Sequence, residues 1–486
     1  MNNIIEKINE ISTTSSVYVI GGFVRDLLLG HIPRDIDLYV NDCTLEYSNE
    51  IARIFNSKLI ILDEKNKKYR ILIKNNAIKN IDVSILFGKT LFEDLSKRDF
   101  TINSVAFDLK NFNYYKKNLI FIDKSVLLDF KFKKLNTISS DSFKSDPLRI
   151  LRGFRFISEI GFNFSNETIK QIKFNAKFIN NVSSERIKNE FFRILSSKNA
   201  TDMIYKMYNY GLLSKIFPEI DDMKKSPKKY YYHDGGLLQH SFETMESLEN
   251  ILNKLDKYFS KSSFYIKKHF CNNTSFSENV TRIGLLKFSA FFHDNAKPET
   301  VSFKNNSIHF FKHDEYGAKK IVNRMLDLKC SKNDIEYVSF LIKYHMYPSM
   351  LIKNNVTTKK SFLKLFKKSN DNIYDLFILS MSDWHSYKKI FAYKSESLKF
   401  QKKYISDIFE YYYEFKNMEK IVNIINGNIL IEKFNLKQGP WIGYILNSVL
   451  QRQKSGEILN IVDALNFVSS KLLYVEKIYK NYCIYK

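Results

Sequence analysis

Cysteine is scarce in this chain and scattered: the four residues, at positions 43, 271, 330 and 483, form no Cys-x-x-Cys pair. Such spacing offers no disulfide framework and is most simply read as that of a reducing compartment. Long apolar runs are missing too, since none approaches the roughly 20 residues needed to span a bilayer. The N-terminal Met1-Asn2-Asn3-Ile4-Ile5-Glu6-Lys7 is short, polar and interrupted by an acid, unlike a targeting segment. A soluble cytoplasmic chain without a membrane partner is therefore expected. No internal repeat is visible.

What is present is size and positive charge. A chain of 486 residues with 44% hydrophobic content can bury several cores, which suggests about three domains on length alone. The formal net charge of +24 points to a polyanionic partner, whose phosphate contacts would make affinity fall steeply with salt. An AT-rich genome also enriches Lys, Asn, Ile, Phe and Tyr, so charge by itself does not identify that partner.

The chemistry is concentrated near the start. Val17-Tyr18-Val19-Ile20 reads as a short buried strand, and Gly21-Gly22-Phe23-Val24-Arg25-Asp26 as a tight turn entering a helix whose amides could face phosphate oxygens. Arg25 would add a fork of donors there. In Asp35-Ile36-Asp37-Leu38-Tyr39-Val40, alternation puts both carboxylates on one strand face and Ile36, Leu38 and Val40 on the other. Paired carboxylates beside a glycine turn suit a hard ion such as Mg²⁺ bound together with substrate phosphates. A solvated strand edge bearing two aspartates is the bland alternative, and the glycine turn upstream weighs against it.

Further on, Lys97-Arg98-Asp99-Phe100-Thr101-Ile102-Asn103-Ser104 and Asp146-Pro147-Leu148-Arg149-Ile150-Leu151-Arg152-Gly153-Phe154-Arg155-Phe156 complete an ordered set of motifs. The set resembles that of class II tRNA nucleotidyltransferases and bacterial poly(A) polymerases. By that resemblance Gly22 and Arg25 contact the triphosphate, Asp35 and Asp37 hold the catalytic metals, Arg98 and Asp99 engage the ribose, and Asp146 and Arg149 read the base. The last assignment has a physical rationale: an acceptor and a planar donor three residues apart on one helix turn can imitate a complementary base. Arg152 and Arg155 continue that face as nucleotide-binding residues, although Arg155 is also placed to brace the helix against acidic neighbours. Two metal ions roughly 4 Å apart would activate the primer 3′-hydroxyl and stabilise leaving pyrophosphate, without a nucleophilic side chain.

Some positions depart from the pattern. Ser145 stands where CCA-adding members usually have glutamate, and Lys97 replaces the usual first arginine of the second motif. Asp82 in Ile81-Asp82-Val83-Ser84 resembles a third carboxylate strand, yet Arg98 follows only sixteen positions later. Members that add all of CCA often carry a longer loop there, so addition of CC alone or of the terminal A alone stays open.

A second constellation follows: His240, His293-Asp294, His313, His345 and Asp383. The order resembles an HD metal-dependent phosphohydrolase domain, with Phe291-Phe292-His293-Asp294-Asn295-Ala296-Lys297-Pro298 as its signature. By resemblance His240, His293, Asp294 and Asp383 form the principal site, and His313 and His345 a second metal position. Imidazole and carboxylate ligands suit Mn²⁺, Ni²⁺ or Co²⁺ as well as Mg²⁺. A lone histidine is ordinarily a surface or satisfied core residue; several spaced ligand types in helical context favour a real site, catalytic or scaffolding.

The motifs divide the chain into an α+β arrangement. A small α/β, polymerase beta-like head is expected over 1–138, an all-α nucleotide-selecting and RNA-binding neck over 139–222, the HD region over 223–395 and a helical tail over 396–486. A hairpin-like region is expected around Lys124 to Lys134, and a polar connector at Asp221 to Lys229. Asn253 to Asn279 reads as a lysine- and serine-rich insertion, and Arg186 and Glu190, four apart, as an intrahelical pair behind a Ser183 or Ser184 cap. The tail word Gly439-Pro440-Trp441-Ile442-Gly443 suits a helix start. The motifs thus imply addition of CCA, or part of it, to tRNA from CTP and ATP. The alternatives are a poly(A) polymerase, or an HD phosphohydrolase acting on 2′,3′-cyclic or 2′-phosphate ends.

Overall fold

The alternation of Asp35–Val40 decides how the head is built. Ile36, Leu38 and Val40 are completely buried, and so are Ile81 and Val83 on a neighbouring strand. A one-residue slip would expose this whole set at about 1.5–3 kcal/mol per side chain, so the register is strongly specified.

The structure, a computed structural model, describes the chain outside residues 1, 12–15, 43, 74–77, 87, 89, 112–118, 229–234, 272–275, 306, 357–358, 370, 388–394, 420–421, 455–456 and 480–486. It is a mixed α+β protein with an N-terminal sheet and a helical remainder. The head strands are β1 (Val17–Ile20), β2 (Asp35–Val40), β3 (Leu59–Asp63), β4 (Lys68–Leu72), β5 (Asn80–Ile85), β6 (Val105–Asp108) and β7 (Leu119–Phe121). They form one sheet in the order β3-β4-β5-β2-β1-β6-β7. β2 and β5 run parallel, with Asp35 opposite Asn80 and Asp37 opposite Asp82. The other neighbouring pairs are antiparallel.

Between β1 and the helix Gly22–Leu28, Gly21 adopts φ 75° and ψ −127°, a left-handed-side conformation that side chains rarely tolerate. A Cβ there would also lie 2.7 Å from Arg98 Nη1. The turn is thus set by backbone geometry and by the arginine packed over it.

Helices dominate after the head, as periodicity implies. In Leu148–Ile160, the buried Ile150, Leu151, Phe154 and Ile157 face the core. That helix packs against Ser184–Leu195. Gly153 lets it approach closely, because a Cβ there would come within 2.9 Å of both Phe100 and Phe164.

Several local expectations give way to tertiary packing. The expected hairpin is a helix, Val126–Phe132, ended by Lys133 at φ 51°; Lys134–Leu135 then pairs in parallel with Asn163–Phe164. The expected connector is largely the helix Glu219–Lys225, anchored by Arg324 Nε to Glu219 at 3.0 Å. Ser183 occupies its cap position without a side-chain cap bond. A two-stranded hairpin, Val301–Lys304 with Ser307–Phe310, interrupts the helices.

The chain separates into two compact units, Met1–Asn253 with Asn272–Ser349 and Ile378–Phe391, and Lys254–Cys271 with Met350–Phe377 and Ala392–Lys486. This division groups the expected head, neck and most of the HD region in one unit, and places Lys254–Cys271 and Met350–Phe377 with the tail in the other. The expected insertion there contributes two helices, Leu255–Phe259 and Ser263–Cys271. Phe259 meets Phe409 at 5.2 Å between ring centroids, and Tyr265 stacks on Tyr413 at 3.6 Å. Farther along, Pro440 opens the helix Pro440–Lys454, and Trp441 is buried with Leu430, Ile445, Val449 and Val468. Among the described residues no helix is long and apolar enough to cross a membrane.

Candidate functional site

The side chains that alternate with the buried face of β2 are Asp35, Asp37 and Tyr39. Asn80 Nδ2 donates to Asp35 Oδ1 at 3.0 Å. Burial raises the Asp37 carboxyl above the usual carboxylate range, with Asp82 and Asp35 adding to the shift and Arg98 and Lys68 opposing it. Two like-charged carboxylates on a partly desolvated face fit a hard divalent cation, which would reverse that shift.

Tyr39 continues the face into a cavity of 460 Å³ lined by Tyr39, Asp94, Lys97, Arg98, Asp99, Asp146, Arg149, Arg152 and Arg186. That volume lies within the usual small-molecule range of about 300–1,000 Å³. The sequence-expected Arg98, Asp99, Asp146, Arg149 and Arg152 therefore share one cavity. Arg98 stands over the Tyr39 ring, 5.4 Å from its centroid, and reaches Asp94 at 3.4 Å.

One hydrogen-bond network runs from the glycine turn to this cavity. Arg25 donates through Nε to Asp26 at 2.8 Å and through Nη1 to Asn103 Oδ1 at 3.0 Å. Asn103 Nδ2 donates to Asp99 Oδ1 at 2.9 Å, and Arg152 holds Asp99 Oδ2 through Nε at 2.9 Å and Nη2 at 2.7 Å. Burial alone would raise the Asp99 carboxyl, but Arg152, Asn103 and the Phe100 N–H outweigh it and lower it. Asp99 is thereby a buried junction that aims two arginines. Gly22 opens the helix that carries Arg25.

Asp146 and Arg149 do not share a helix turn. Asp146 is extended, at φ −148° and ψ 98°, ahead of the helix, and Leu148 N–H donates to its Oδ1 at 3.2 Å. Arg149 is pinned by the carbonyls of Lys97 at 2.7 Å and Arg98 at 3.2 Å and by Ser142 Oγ at 3.0 Å. Arg186, a residue that reading by local pairing missed, reaches Asp146 Oδ2 at 2.9 Å. The expected Arg186–Glu190 pair is replaced by this contact and by Arg155 Nε to Glu190 at 2.7 Å. Arg155 also holds Glu159 at 2.9 Å and is 6% exposed, so it is a brace in the neck and not part of the cavity lining.

The histidine constellation assembles from residues on or just after five helices, all of these residues within the first unit. His240 lies within Leu237–Leu252, His293 and Asp294 follow Arg282–Phe292, His313 begins His313–Asp327, His345 follows Lys332–Tyr344, and Asp383 lies on Ile373–Ser386. Asp294 Oδ2 faces the Nε2 atoms of His240 and His293 at 3.5 and 3.2 Å, and Oδ1 those of His313 and His345 at 3.3 and 3.6 Å. Asp383 Oδ1 lies 3.1 Å from His240 and 3.6 Å from His293. Lys297 Nζ approaches Asp294 Oδ2 at 2.5 Å, and Tyr387 stacks on His240.

Each Nδ1 is committed elsewhere. Those of His293, His313 and His345 donate to the carbonyls of Ala290, Phe310 and Ile342 at 2.9, 2.8 and 2.6 Å. Ser386 Oγ gives its proton to the Asp383 carbonyl and accepts from His240 Nδ1 at 3.0 Å. In the neutral imidazoles four Nε2 lone pairs thus converge on buried carboxylate oxygens, an acceptor-to-acceptor arrangement that either a proton or a metal cation between its members relieves. Without a metal the proton takes that place at His293. Burial lowers the His293 imidazole, yet Asp294 and Asp383 outweigh it and push it up to about 10. Burial and the His293 charge push His345 down to about 4. Burial would raise the two carboxyls, but the imidazoles hold Asp294 and Asp383 well below the usual range. The groups His240, His293 and Asp383, and His293, Asp294 and His345, each bring their ligand atoms within 4.8 Å of one another. The donor set fits one or two transition-metal ions.

Comparison with known proteins agrees with the head and neck motifs. Residues 17–120 match the poly A polymerase head domain, and residues 161–224 match the domain described as "Probable RNA and SrmB- binding site of polymerase A". A CC-adding tRNA nucleotidyltransferase of Thermus thermophilus is 24% identical, over 92% of this chain and 91% of its own length. A CCA-adding enzyme of Streptococcus uberis is 24% identical over 96% of each chain. The Thermotoga maritima CCA-adding enzyme complexed with tRNA shares the fold, with a TM-score of 0.56 at 22% identity over 97% of this chain and 95% of that one. The chain thus carries a poly A polymerase head domain and its RNA-binding domain, and along nearly its whole length it is similar to CC- and CCA-adding tRNA nucleotidyltransferases.

Proposed function

We propose that this chain is a tRNA 3′-end nucleotidyltransferase that adds CCA, or part of it, from CTP and ATP. The observation that carries the reading is the single face of β2 on which Asp35 and Asp37 lead through Tyr39 into the arginine-lined cavity. Divalent metal, Mg²⁺ in this proposal, would be held by Asp35 and Asp37; when bound it promotes attack by the primer hydroxyl and departure of pyrophosphate. The protein's own part is placement. Arg25 and Arg152 offer donors to the triphosphate beside the Gly21–Gly22 turn, Arg98 engages the ribose, and the Asp99 junction keeps Arg25 and Arg152 in fixed relation.

Base choice follows from acceptor and donor pattern. Asp146 accepts, so it suits the exocyclic amino groups that cytosine and adenine share, whereas uracil and guanine present a carbonyl there. Arg149, anchored to two backbone carbonyls, supplies a fixed planar donor edge beside it. The four segments, 1–138, 139–222, 223–395 and 396–486, then act in this proposal as head, neck, metal-dependent region and tail.

The histidine cluster supports a second activity in the same chain. Four imidazoles with committed Nδ1 atoms around one carboxylate suit a phosphohydrolase acting on 2′,3′-cyclic or 2′-phosphate ends. Substitution separates the two centres. Asp35→Ala and Asp37→Ala should abolish nucleotide addition and leave phosphohydrolysis intact, whereas His293→Ala should do the reverse. Loss of neither activity with its assigned substitution would refute both assignments.

A further inference from the structure

Asp82 stands beside Asp37 in the parallel register of β2 and β5, where a third metal-binding carboxylate would sit. Its other neighbour gives it a different role. β4 pairs antiparallel with β5 and sets Arg70 opposite Asp82, so one row across the sheet reads Asp37, Asp82, Arg70. Residues in register on adjacent strands project from the same face. Arg70 Nε and Nη2 take one oxygen each, Oδ1 at 2.7 Å and Oδ2 at 2.8 Å. Such forked guanidinium–carboxylate pairs are among the stronger hydrogen bonds of proteins. Asp82 is 8% exposed, which removes water as a competitor for most of its surface.

We propose that Arg70 is a positioning residue of the nucleotidyl-transfer site, clasping Asp82 so that Asp35 and Asp37 alone form the carboxylate pair offered to the metal. The inference rests on the nucleotidyltransferase reading of the head. Its consequence is chemical. Mg²⁺ is usually held by one or two carboxylates together with substrate phosphates, so a two-carboxylate face binds the ion weakly until the triphosphate arrives. Release of Asp82 would add a third acceptor next to Asp37 and let the ion bind without nucleotide. Arg70 thereby couples metal occupancy to substrate.

The test measures Mn²⁺ binding to the full chain, without nucleotide, by the loss of the free-ion electron paramagnetic resonance signal. Binding that survives in Asp37→Asn is assigned to the histidine cluster and subtracted. The remaining component should tighten about tenfold in Arg70→Gln, because affinity for hard cations follows ligand charge count. Asp82→Asn should leave that component at the parent value, and in the double variant it should cancel the gain. Arg70→Lys, which keeps the charge but loses the fork, should fall between Arg70→Gln and the parent and supplies the reading should Arg70→Gln fail to fold. Unchanged affinity in folded Arg70→Gln or Arg70→Lys would overturn the proposal. So would weakened affinity in Asp82→Asn, which would make Asp82 a ligand. No Asp37-dependent component in any protein, with nucleotide present or absent, would instead remove the metal reading of the head, and this inference with it.

Discussion

Arg155 shows how strongly a tertiary partner can redirect a side chain. It lies at helical spacing from Arg149 and Arg152, yet it is buried against Glu190 and Glu159 with its guanidinium over Phe156. Breaking a buried pair leaves an uncompensated charge, so Arg155→Met should cost about 3 kcal/mol in urea unfolding. CTP affinity of the folded variant should not change; a selective rise in KM at full stability would return Arg155 to the nucleotide site. Asp99 makes a pH-dependent contribution. Its folded carboxyl is lowered, so its stabilisation is present above the unfolded value of about 4 and is lost as pH falls through the depressed one. Asp99→Asn should therefore be less stable than the parent at pH 7, with a gap that narrows below about pH 4 in thermal melts. The Asp35–Asp37 pair was legible because period-2 alternation is a local signal. Arg186 was not, because its partner Asp146 lies 40 positions away in sequence and competed with a plausible partner on its own helix.

Among the elements, β1, the helix Gly22–Leu28 and β2 follow directly from hydrophobic pattern and turn residues. The helix Val126–Phe132 did not, since its lysine-rich flanks resemble a turn until packing with the Thr101–Asn103 segment is known. Likewise the helices of 255–271 hide behind a polar composition, and their buried Phe259 and Ile266 become meaningful only against partners distant in sequence. The neck helix offers a sharper test. A notional Cβ on Gly153 already meets two aromatic rings at 2.9 Å, so Gly153→Val should destabilise by about 1–3 kcal/mol through overpacking. Because Arg149 and Arg152 ride on the same helix, CTP binding should weaken as well. An unchanged melting temperature would show that the close approach to Phe100 and Phe164 is not required.

For the whole molecule, the net charge of +24 makes a prediction that no single residue does. If tRNA binds through phosphate contacts, its affinity should fall by about 10³ or more between 50 and 200 mM salt, the response of a protein making six or more such contacts. A flat salt response in a binding titration would reassign the positive charge to composition. The sequence motifs named residues that the fold brings together in the arginine-lined cavity and in the histidine cluster, while their spacing could not reveal that residues 254–271, 350–377 and 392–486 gather into a second compact unit. Contacts among segments so far apart leave no local periodic trace. The central claim, nucleotide addition to a tRNA 3′ end, is tested most directly by incubating the purified chain and Mg²⁺ with transcripts ending at the discriminator base, at CC and at CCA. CTP and ATP are supplied separately and together, with Asp37→Ala as control. Incorporation that stops at or before CCA and disappears in Asp37→Ala is the predicted result; unlimited adenylate addition, or no Asp37-dependent incorporation on any transcript, would contradict it.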